Sequence, residues 1–73
     1  MALGGLAPET RSLLRQLATL SLQALGIASP TPQFVEDEML RQFSRLVPAL
    51  PREGDRERAM ESAIRTALDE LES

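Results

Sequence analysis

The chain contains no cysteine, histidine, lysine, asparagine, tyrosine or tryptophan. Each absence removes a class of chemistry. Without cysteine there is no disulfide to staple a small fold, and no thiolate to hold a metal. Without histidine the commonest general base and the commonest transition-metal ligand are missing. Serines and threonines are present, but neither a histidine nor a lysine exists to activate them as nucleophiles. The residue types that carry most catalysis are absent, so no enzyme activity, cofactor or metal site is expected.

Charge is unbalanced in kind as well as number. All eight cations are arginine, set against eleven acids, for a net charge of −3. Binding to a phosphate backbone needs concentrated positive charge, so nucleic acid is not an expected partner. Arg52, Arg56 and Arg58 cluster together, but Glu53, Asp55 and Glu57 interleave with them and cancel the patch. The acidic triplet Glu36-Asp37-Glu38 cannot converge on one ion, because consecutive helical positions point about 100° apart. It reads as a solvated helix start favoured by the helix dipole.

Charge is also unevenly placed. From Gln16 to Val35 there is no ionisable side chain at all. The run is long enough to cross a bilayer, but three glutamines and two prolines make it too polar and too broken. The opening "MALGGLAPE" has no basic region before its short apolar patch, so no signal peptide is expected. An acidic, cytoplasmic protein with no membrane association is the expectation.

Punctuation then divides what is present. Pro8 suits a first helical turn with Glu9 beside it. Leu13, Leu17, Leu20 and Ala24 recur at helical spacing, and Gly26 stops the run. After the turn "IASPTP", Thr31 is a candidate N-cap with Pro32 at the first helical position. Val35, Met39, Phe43, Leu46 and Leu50 form a second stripe, with Asp37 and Arg41 as an i,i+4 pair on the outside. Pro48 ends or kinks that helix. Asp55 caps a third helix, whose stripe is Met60, Ala63, Ile64, Ala67, Leu68 and Leu71. Glu61, Arg65 and Asp69 lie on its outer face.

The expected fold is all-α. A flexible N-terminal tail, 1–7, precedes a single helical domain, 8–73, with helices over about 8–25, 32–47 and 55–72. Its core residues are Leu13, Leu20, Met39, Phe43, Leu46, Met60, Ile64, Leu68 and Leu71. A chain of 73 residues without a staple makes a marginal core. The apolar arc of the first helix spans half its circumference or more, wider than packing on one neighbour requires. Leu14, Ala18, Ser21 and Leu25 widen its main stripe, and Leu22 stands apart beside Arg11 and Arg15. These two observations lead to a homodimer that completes a helical bundle, its interface built from Leu14, Leu17, Leu22 and Leu25.

The segment "RLVPALPREGDRERAMESAIRTALDEL", Arg45 to Leu71, resembles the end of C-terminal docking segments of modular polyketide synthases. The resemblance lies in a leucine-bearing helix, a polar linker with Pro and Asp, and a short amphipathic helix. It implies an inter-subunit docking role. A small DNA-binding regulator is a further alternative, although the connector Pro48 to Gly54 is too long for a helix-turn-helix and the third helix is acidic toward its end. The leading expectation is a non-catalytic protein–protein interaction module. It would be a small adaptor, chaperone-like partner or regulator that binds another protein through amphipathic helix faces.

Overall fold

The computed structural model describes residues 5–72. Three helices account for most of them: α1, Pro8–Ala24; α2, Pro32–Leu46; and α3, Arg56–Glu72, with a 3-10 turn, Val47–Ala49, after α2. Among the described residues there is no strand.

Local chemistry sets each boundary. Pro8 occupies the first turn of α1, where a missing N–H costs nothing, and Ala7 before it is extended at φ −63° and ψ 151°. The other end closes as a Schellman motif. The Gly26 N–H donates to the Gln23 carbonyl at 2.9 Å and the Ile27 N–H to the Leu22 carbonyl at 3.0 Å. Gly26 sits at φ +96°, a conformation that an L side chain resists. The helix therefore ends at Ala24, one residue before the expected limit.

Thr31 caps α2, its hydroxyl oxygen accepting from the Phe34 N–H at 3.3 Å. Pro48 lacks the N–H that would continue the ladder, so α2 stops at Leu46 and its end tightens into the 3-10 turn. Asp55 caps α3 from outside, with Oδ1 accepting from the Arg58 N–H at 3.0 Å.

α1 is the middle helix. It packs along both α2 and α3, while those two touch each other only sparsely. Leu14, Leu17 and Ala18 of α1 meet Met39 of α2 and Met60, Ile64, Ala67 and Leu68 of α3 in one core. Leu14, Ala18 and Ile64 are completely buried. Burying side chains of the size of Leu14 and Ile64 stabilises by roughly 1.5–3 kcal/mol each.

This arrangement corrects the expected seam. The arc of α1 is wide because two helices cover it within one chain. Leu14, Leu17 and Leu22 are buried there and have no surface to offer a partner. Leu22 escapes the exposed side it shares with Arg11 and Arg15 because the chain doubles back over the end of α1, laying Ile27, Phe34 and Glu38 beside it. Dimerisation is not needed to explain the stripe. The most buried line of α1 runs through Leu14, Leu17 and Ala18, so Leu13 and Leu20 are half-buried flanks of the core. Phe43 and Leu46 are likewise half-buried against it. Leu71, expected in the core, is 42% exposed in the last turn of α3.

The expected tail is corrected in part. Residues 1–4 lie outside the described residues. Leu6, however, is half-buried against the core, and the Ala7 N–H donates to Glu57 Oε1 at 2.8 Å, tying the segment before α1 to α3.

Candidate functional site

Three features of the surface and near-surface could carry function. The first is a polar cluster between α1 and α2. Glu38 is 4% exposed although it belongs to the acidic triplet expected to be solvated. Its Oε2 accepts from Ser21 Oγ at 3.0 Å and from Gln42 Nε2 at 2.7 Å. Gln42 Oε1 accepts in turn from Arg45 Nε at 3.1 Å and Nη2 at 2.7 Å. Arg41 Nη1 stands 3.6 Å from Glu38 Oε1, in place of the expected pairing with Asp37. Asp37 Oδ1 instead accepts from Gln33 Nε2 at 3.1 Å. No buried side-chain polar atom among the described residues is left without a partner. A network satisfied in this way clamps two helices in register; the carboxylate is engaged on both sides and holds no open position for a reactant. The sequence carries a signal for it: Glu38 and Gln42 lie one turn apart, next to the buried side of α2 that holds Val35, Met39 and Leu46.

The second feature is an apolar cleft of about 280 Å³ between the end of α2 and the start of α3. Phe43, Val47, Leu50 and Met60 line it, with Arg56 and Glu57 at its mouth. Leu6 enters it from the segment before α1. The cleft is thus partly filled by the chain itself.

The third is the corner where α1 hands over to α2. A groove of about 220 Å³ is lined there by Leu22, Leu25, Ile27 and Phe34, with Asp37, Glu38 and Arg41 on its α2 side. Leu25 is 68% exposed and Phe34 52%, the two most exposed large apolar side chains among the described residues. Of the four leucines expected at an interface, Leu25 alone is on the surface. Phe34 is not singled out by spacing, because the first turn after a proline-capped start reads as a helix end. The uncharged run from Gln16 to Val35 supplies all four apolar residues of this corner.

No protein-family model matches the chain, and none of the curated proteins or solved structures compared with it is significantly similar. Among the described residues no group of three or more acidic side chains is placed to hold a metal ion. No helix among them is long and apolar enough to cross a membrane. Arg52, Arg56 and Arg58 are exposed, and Arg58 Nε lies 3.7 Å from Asp55 Oδ2.

Proposed function

We propose that the chain is a non-catalytic protein–protein interaction module of the cytoplasm, an adaptor, chaperone-like partner or regulator, that binds through the corner between α1 and α2. One observation carries the reading. Leu25 and Phe34 stand largely in solvent beside the half-buried Ile27, at the two ends of a connector shaped by Gly26 and Pro30 and closed by Pro32 at the start of α2. A contiguous apolar patch on a small domain costs solubility, and contact with another protein is the commonest reason for it to persist. A connector stiffened by two prolines keeps the patch in shape before contact, which lowers the ordering cost of binding. The composition supports the same class, since histidine, cysteine and lysine, which activate most nucleophiles and bind most transition metals, are missing.

The test is site-specific cross-linking in the cells that make the protein. A photoreactive phenylalanine analogue replaces Phe34 in one variant and Arg58 in another. The expected outcome is a discrete adduct with a polypeptide, formed from position 34 and not from 58. Absence of any adduct at position 34, or equal labelling from both positions, overturns the reading.

A further inference from the structure

We infer that the polypeptide covering the Leu25–Phe34 patch is a second copy of this chain, paired about a two-fold axis that sets Asp37 of each protomer against Arg41 of the other. The inference rests on the interaction reading above and names its partner.

The rim of the groove commits the patch to a copy of itself. Asp37 and Arg41 are one helical turn apart on α2, both exposed and of opposite sign. A two-fold axis crossing α2 between them reverses the order on the partner, so each acid meets a base and the two pairs are equivalent. Asp37 is held by an exposed hydrogen bond to Gln33, which exchanges readily. The Arg41 side chain is 73% exposed and stands 3.6 Å from the buried Glu38 carboxylate, so in the pair it is shared between Glu38 and the acid across the axis.

The apolar part is self-complementary too. The surface carries a hole, the groove between Ile27 and Phe34, and at its lip a knob, Leu25, the most exposed large apolar side chain described. A contact between identical surfaces requires knob and hole on the same face. The exposed pair, Leu25 and Phe34, falls in the stretch of the chain without charge, which suits an interface core depleted of charged side chains. The patch has only two largely exposed apolar side chains, Leu25 and Phe34, so the pairing is weak and depends on concentration.

Sedimentation equilibrium of the full chain tests this, over a concentration series reaching the millimolar range. The apparent mass is expected to rise from 8.0 kDa toward twice that value. Leu25→Glu should hold it at the monomer with an unchanged helical circular dichroism spectrum. Asp37→Arg and Arg41→Asp should each weaken pairing about tenfold, because each sets like charges face to face. An equimolar mixture of those two variants should then associate at least as well as the wild type, since the mixed pair has a base opposite every acid. Rescue by mixing is a signature that a merely structural role for either residue would not produce. A folded wild type that stays monomeric throughout overturns the second copy, as does a dimer that Leu25→Glu leaves intact or a mixture no better than its components. If the wild type is monomeric while position 34 still cross-links to a different polypeptide, self-pairing has failed and the interaction reading stands.

Discussion

Ser21 on α1 donates its hydroxyl to Glu38 Oε2 on α2 at 3.0 Å, and Gln42 donates to the same oxygen at 2.7 Å. Two polar side chains, one from each helix, thereby share one carboxylate that is almost out of solvent. Removing the acceptor alone strands the Ser21 hydroxyl and leaves Gln42 Nε2 only its longer bond to Ser21 Oγ at 3.3 Å, at about 1–3 kcal/mol. Glu38→Ala should therefore lower the unfolding free energy by that amount in urea titrations. Removing the hydroxyl alone is milder, about 1 kcal/mol for Ser21→Ala. The triple change Ser21→Ala, Glu38→Leu, Gln42→Leu replaces the three inward partners by apolar groups, returns the exposed Arg41 and Arg45 to water, and should recover most of the loss. If Glu38→Ala proves neutral, the cluster does not clamp the helices.

Ile64 and Arg65 are neighbours in sequence with opposite environments. Ile64 is fully buried between α3 and α1, whereas Arg65 donates from Nε and Nη2 to Glu61 Oε2 at 3.1 and 3.0 Å on the outer face. Ile64→Ala should cost roughly 2–5 kcal/mol through lost transfer energy and the cavity left behind. Arg65→Ala removes an exposed i,i+4 pair and should cost only about 0.3–0.5 kcal/mol. Thermal melts of the two variants check the difference, and equal shifts would place the core on the wrong face of α3.

How much of this is legible in the sequence depends on whether one helix or several decide the matter. Caps and stops are local. Pro8, Gly26, Thr31, Pro32 and Asp55 each act within a turn of their own position, so the helix limits follow from them to within a residue or so. Which side of α1 is most buried is not local. Leu13 and Leu20 lie on the stripe that spacing favours, yet Leu14 and Ala18 are buried deeper because α2 and α3 approach α1 from two directions. The same geometry hides Leu22 and leaves Leu25 outside. The patch is half readable: its lack of charge is visible in the string, but its second member, Phe34, is exposed only because Pro32 starts α2 so close before it.

The turn after α1 depends on Gly26 at φ +96°. No heavy atom would crowd a Cβ there, so the cost of substitution is conformational only. Gly26→Ala should destabilise by about 1–2 kcal/mol, the penalty of a left-handed backbone for an L residue. It should also loosen Ile27 and Leu25 and so reshape the patch. Chemical denaturation gives the first effect, and amide exchange at Ile27, whose N–H closes the Schellman motif on Leu22, gives the second. An alanine variant as stable as the wild type would mean that the turn accepts another conformation.

The segment before α1 is short, yet it is tied in twice. Leu6 packs into the cleft beside Phe43, Val47, Leu50 and Met60, and the Ala7 N–H donates to Glu57 Oε1 at 2.8 Å. α2 and α3 touch sparsely, so this segment bridges a gap that the helices themselves leave open. Leu6→Ala removes part of a leucine's burial and should cost about 1–2 kcal/mol, less than a fully buried leucine because the site is half open. Glu57→Gln keeps an acceptor for the Ala7 N–H and should be mild, whereas Glu57→Ala removes it and should cost about 1 kcal/mol. Leu6 and Glu57 hold neighbouring residues of one segment, so combining Leu6→Ala with Glu57→Ala should lose less than the sum of the single losses, once the segment is released. Urea titration of the four variants measures that coupling. Strictly additive losses would mean that Leu6 and Ala7 dock independently.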